Sequence, residues 1–298
     1  MSADRPTIAV IAGATRFPVM VAERAREAGC RVVVAGLRGL ADPALRDRAD
    51  VFRWVGVVRI GGWVRFLRRQ GVQRAILAGS VRKSDMYGRF RLIRYWPDWT
   101  AIRLWFFRAA DKRNDTLLCA LADHLQSKGI TLENSVQFNA ADMMPEGVLT
   151  SARPTAAQES DIEFGWGIAK EMGRLDVGQS IAVKEREVIA VEAIEGTDRM
   201  IERAGELCRH GGWTLIKVAK PNQDMRFDVP TVGPDTVENL KRNGGRVLVV
   251  EAGRTFVVDR DKMVAAAERL GVVIVGRQET QGQARRHPGA PGHAGTKV

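Results

Sequence analysis

Histidine is scarce in this chain: there are four in 298 residues, and His287 and His293 lie close to the C-terminus. So few supply a histidine-based metal centre or a Ser-His-Asp triad poorly. Cys30, Cys119 and Cys208 are odd in number, scattered and without Cys-x-x-Cys spacing, the pattern of a reduced, cytoplasmic protein. No run of eighteen apolar residues occurs, so no segment reads as a membrane span. The opening MSADRPTIAVIAG lacks a basic region before its short apolar stretch and reads as a first strand, not a signal peptide. That strand ends at Gly13 alone, where a dinucleotide fingerprint needs three glycines.

What is present is a well-stocked core and an excess of positive charge. Hydrophobic residues make up 45% of the chain and charged residues 27%, enough for one large or two ordinary domains. The net charge of +11 favours an anionic partner: nucleic acid, an acidic membrane surface or a phosphorylated ligand. An ordinary basic surface would give the same number.

Periodicity predicts a first domain over 1–134 built from strands and helices in alternation. Strands are expected at 7–12, 30–39 and 74–81, with helices at 19–29, 63–72 and 114–129, which implies a Rossmann-like parallel sheet. Residues 86–108 interleave arginines with Trp96, Trp99, Trp105 and three phenylalanines. They read equally as a helix pair with an aromatic core face or as a surface for acyl chains and lipid phosphates, and less readily as a platform for single-stranded nucleic acid. Residues 135–157 read as a linker. A mixed α/β domain is expected over 158–277, and the glycine-rich residues 278–298 as a disordered tail.

Several blocks carry candidate chemistry. Gly13 and, after the third strand, Gly79, Ser80, Arg82 and Lys83 stand at strand ends where open α/β sheets bind anionic ligands. GRLDVGQS puts Asp176 and Gln179 in a glycine-flanked turn. VEAIEGTDRM puts Glu192 in an apolar strand and Glu195 before Gly196, Thr197 and Asp198 at a helix start. A carboxylate among apolar residues is costly unless paired, metal-bound or turned outward. KVAKPNQDMRFDVPTVGP is the densest block, with Lys217, Lys220, Gln223, Asp224, Arg226 and Asp228 between prolines. Cations that hold phosphates, beside carboxylates that hold a metal or orient water, suit phosphoanhydride cleavage. A loop salt-bridge network is the plainer alternative. VEAGRT adds another acid and arginine at a further strand end.

These blocks, in this order and spacing, closely resemble the UDP-2,3-diacylglucosamine pyrophosphatases of the LpxI family over about residues 6–277. The resemblance implies a cytoplasmic enzyme, peripheral to the inner membrane, that uses a divalent cation such as Mg²⁺. It implies hydrolysis of UDP-2,3-diacylglucosamine to 2,3-diacylglucosamine 1-phosphate and UMP in lipid A biosynthesis, with attack on the sugar-side phosphorus, by a homodimer of two-domain subunits. The family's essential aspartate sits in an Arg-x-Asp-[Leu/Val]-Pro-Thr motif, which here is Arg226 to Thr231, so Asp228 inherits that role. Asp224, Glu192 and Glu195 are expected to support the metal. Lys217, Lys220, Arg226, Gln223, Gln179, Gly196, Thr197 and Asp198 are expected at the substrate. The N-terminal half departs from the family pattern at Ala14–Pro18 and at Arg113–Asp115. A non-catalytic lipid or sugar-nucleotide carrier is the rival reading. A nucleic-acid partner is not expected, because the acidic blocks would repel a polyanion.

Overall fold

The computed structural model describes residues 5–81, 97–107, 114–221, 223–226 and 228–278. The first domain is a five-stranded parallel sheet. Its strands are β1 (Thr7–Ala12), β2 (Arg31–Leu37), β3 (Val51–Val55), β4 (Arg74–Ala78) and β5 (Thr131–Leu132), in the order β3-β2-β1-β4-β5. Alternation along β1 sends Ile8, Val10 and Ala12 toward α1 (Phe17–Glu27). Ala9 and Ile11 go to the opposite face with α2 (Ile60–Arg69) and α4 (Asn114–Gln126). A parallel sheet covered on both faces accounts for the near-continuous apolar runs that marked these strands. Helix α1 begins two residues earlier than periodicity suggests because Pro18 suits a helix's first turn, where no N–H is needed.

The stretch 86–108 lies partly outside the described residues. Its described part holds α3 (Trp99–Phe107), whose Leu104 is 2% exposed while Trp99 is 78% exposed. One face therefore enters the core and the other leaves an indole in solvent.

The second domain is a six-stranded mixed sheet in the order β6-β13-β11-β9-β7-β8. These strands are β6 (Gly147–Val148), β7 (Ser180–Lys184), β8 (Glu187–Val191), β9 (Thr214–Lys217), β11 (Val247–Glu251) and β13 (Val273–Arg277). The short strands β10 (Thr231–Val232) and β12 (Phe256–Val257) pair with each other beside it. Helix α5 (Ala156–Arg174) packs Ile162, Trp166 and Ala169 on one face. Gly165, in the middle of α5, leaves room for the Ile216 and Val183 side chains, which a Cβ would meet. A capping box between Thr155 and Gln158 starts this helix two residues ahead of the expected boundary. The other face carries α6 (Thr197–Leu207), α7 (Pro234–Arg242) and α8 (Arg260–Leu270) over Leu215, Leu248 and Val250.

The stretch 135–157 is built into both domains. Ser135 and Asn139 are buried, Met144 enters the second core, and β6 pairs antiparallel with β13. Across the domain boundary the Phe17 and Phe256 rings meet at 4.4 Å, Arg16 bonds Asp259 at 2.9 Å, and Arg260 donates to the Ala141 and Met143 carbonyls. Ser135 Oγ donates to the Met225 carbonyl at 2.7 Å, and Met225 and Val229 pack against the first domain's core. The loop that carries Asp228 thus rests on the first domain.

Candidate active site

The register of the second sheet builds a polar row. Ser180 on β7 stands opposite Lys217 at the end of β9, and the Glu192 N–H donates to the Ser180 carbonyl on the other side. All three residues are buried. Their side chains share a face because neighbouring positions across paired strands point the same way. Over that face sits the start of α6. Gly196, at φ 83°, supplies no side-chain cap, and Thr197, the first helical residue, meets the row through its hydroxyl. The Lys217 ammonium donates to the Thr231 carbonyl at 3.0 Å and to Thr197 Oγ at 3.4 Å, and the Ser180 and Thr197 hydroxyls lie 3.3 Å apart.

Burial pushes the Lys217 pKa down, and the charges of Glu192, Asp198 and Asp228 oppose that shift. One desolvated cation therefore sits within electrostatic reach of three carboxylates. Glu192 Oε2 is buried with no hydrogen-bond partner, which is costly for a carboxylate unless a cation or a ligand donor reaches it. Asp228 is half-buried. Its N–H closes a turn onto the Asp224 carbonyl at 3.0 Å, and Gln223 Nε2 donates to its Oδ2 at 2.8 Å.

The four-acid metal set expected from the sequence does not assemble. Asp224 is gripped by Arg226, which holds its carboxyl below the usual range. Glu195 closes its own turn and pairs with Arg203, which likewise lowers its pKa. Among the described residues no three His, Cys, Asp or Glu side chains converge as a metal site. Glu192 and Asp228 are left. One or two carboxylates completed by substrate phosphates are what Mg²⁺ takes, so the residues present fit an ion shared with substrate and not a protein-only cage.

Other expected contacts have structural jobs. Lys220 pairs with Asp176, joining the glycine-flanked turn to the proline-rich loop. Gln223 braces both Asp228 and the Lys220 N–H, which makes it a positioning residue. Gln179 Oε1 is buried without a partner. Gly13 and Gly79 bring two backbones together at the Ala14–Ser80 bridge, where a Cβ on either would strike the other loop. They hold the C-terminal ends of β1 and β4 together. Arg82 and Lys83 lie outside the described residues. Sequence reasoning missed Ser180 and the Thr231 carbonyl. Strand register could have found the first, but a backbone oxygen carries no residue signal.

Two features hold the site's loops. A Cβ on Gly178 would collide with the Glu192 carbonyl. Gly178→Ala is expected to cost about 1–3 kcal/mol in a urea melt, the usual penalty for overpacking. On the sheet's other face Glu251 is buried against Lys170 at 3.0 Å, and it accepts the Ala219 N–H at 2.8 Å. Arg254 reaches from there to the Lys220 and Pro221 carbonyls. Glu251→Gln removes the buried carboxylate charge that meets the half-buried Lys170. A loss of about 3 kcal/mol is expected in the same melt, and an unchanged midpoint would contradict the role.

Taken together, the fold and this row define a class: a two-domain α/β protein whose second domain gathers a buried lysine, the start of a helix and the carboxylates of Glu192 and Asp228. The chain belongs to the LpxI family, since the LpxI N-terminal domain model matches residues 7–141 and the LpxI C-terminal domain model residues 145–275. It is 34% identical over 281 residues to the UDP-2,3-diacylglucosamine pyrophosphatase LpxI of Caulobacter vibrioides, covering 90% of this chain and 96% of that one.

Proposed function

We propose that this protein hydrolyses UDP-2,3-diacylglucosamine to 2,3-diacylglucosamine 1-phosphate and UMP, a step of lipid A biosynthesis. The observation that carries the reading is the Lys217 ammonium under the N-terminus of α6, with Asp228 within its electrostatic reach. Lys217, Thr197 and the first N–H groups of α6 bind the diphosphate. Asp228, oriented by Gln223, takes a proton from the attacking water. The water oxygen bonds the sugar-side phosphorus, the bridging P–O bond breaks, and UMP leaves with the bridging oxygen and its electron pair. Glu192 and Asp228 are the residues that would hold Mg²⁺ with the phosphate oxygens. The ion supplies charge neutralisation on the diphosphate.

Leu175, Val177 and Ile194 are exposed aliphatic residues on the two turns that meet at Gly178 and Glu192, with Ile194 95% exposed. Apolar surface beside a phosphate site suits a diacyl sugar. No helix among the described residues is long and apolar enough to cross a membrane. Cytoplasmic location, peripheral contact with the inner membrane and a homodimer belong to the same proposal.

³¹P NMR of the UDP-lipid with the full chain and Mg²⁺ in ¹⁸O-labelled water is the test. Formation of UMP with label on the sugar phosphate supports the reading. Saturable binding with no turnover would favour a carrier instead.

A further inference from the structure

A cavity of about 390 Å³ lies in the first domain between α2, α3 and the end of α4, and it shares no residue with the Lys217 row. Arg65 and Arg68 from α2, Arg103 from α3 and Lys128 beyond α4 line it with His124, and among the described residues no acidic side chain does. None of the four full cations makes an ion pair among the described residues. Asp98, near Gly61, accepts from the Gly62 and Ala101 N–H groups at 3.3 and 2.9 Å and so serves the start of α3. Like charges gathered around one concavity repel each other, so the arrangement costs stability unless an anion fills it. Guanidinium forks match phosphate oxygens. Trp99, 78% exposed, lines the same cavity. An indole in solvent beside arginines suits a bilayer's headgroup level, where the ring meets acyl carbons and the cations meet phosphates.

We propose that this cleft is a headgroup-phosphate site for anionic lipid, docking the first domain on a membrane surface. It deepens the membrane contact proposed above by naming the residues that make it, and it does not depend on the catalytic assignment.

Co-sedimentation of the full chain with phosphatidylcholine vesicles, with and without phosphatidylglycerol, tests it. Wild type is expected to bind the anionic vesicles and to be released by salt. The double variant Arg65→Ala/Arg68→Ala should partition about thirtyfold more weakly, roughly fivefold per cation. Arg68→Lys should retain binding. Trp99→Ala should weaken it without altering the salt dependence. Hydrolysis of detergent-dispersed UDP-lipid should be unchanged in the double variant, whereas Asp228→Asn should lose hydrolysis and keep vesicle binding, so the two proposals fail separately. Vesicle binding by the double variant equal to wild type would overturn the site. So would saturable binding of free glycerol phosphate without vesicle binding, or an oligonucleotide that uses these cations while vesicles do not.

Discussion

Asp228→Asn is expected to lower kcat/KM by about a thousandfold and to leave the melting midpoint close to wild type. Asparagine keeps the shape, the backbone turn onto Asp224 and an oxygen for Gln223 to donate to, so the loop has no reason to move. What disappears is the negative charge that accepts a proton and shares a cation. Rates read by ³¹P NMR check the activity, and thermal unfolding checks the fold. Gln223→Ala should fall between, about ten- to a hundredfold down, because it only aims the carboxylate. Full activity in Asp228→Asn would remove this residue from the chemistry and with it the proposed mechanism.

Lys217→Met is expected to cost about a hundred- to a thousandfold in kcat/KM, the scale of removing a preorganised donor from a charged transition state. Its pH dependence has a definite sign. Burial lowers the Lys217 pKa, so the ammonium is charged below that value and neutral above it. Attraction for the diphosphate is present below the folded pKa and lost as pH rises through it. The alkaline limb of kcat/KM should therefore fall on the acid side of the ordinary lysine range. Lys217→Arg should remove the limb, since guanidinium stays charged. Glu192→Gln and Asp228→Asn should each move it further down, because both carboxylates hold the lysine's proton in place. Stability responds the other way. Between the folded and unfolded pKa values the unfolded chain binds the extra proton, so this residue's contribution to stability rises with pH. A limb that stays in place in both carboxylate variants would show that Lys217 does not titrate there.

The elements that form a repeating apolar pattern could be read before any coordinates. β1, β2 and β4 are buried on both faces, and α5 carries its capping box in its own letters. β3 could not be read so, because Arg53 interrupts Val51–Val55 and the strand sits at the sheet's edge, where one polar position is tolerated. β6 is two residues long and exists only because β13 offers it an edge. The same division runs through the site. Glu192 stood out as a carboxylate among apolar residues, and it is indeed buried and unsatisfied.

By itself the sequence determined the alternation of strands and helices, the family, and the blocks that hold Lys217 and Asp228. These depend on local spacing, and local spacing is written along the chain. Only the tertiary structure decided which charges are spent. Asp176 claims Lys220 from 44 positions away, while Glu192 keeps an oxygen with no partner. An ion pair forms with whichever opposite charge folding brings within a few ångströms, and burial sets what an unpaired one costs. Neither quantity can be computed from one segment alone, because strand register and helix placement set both.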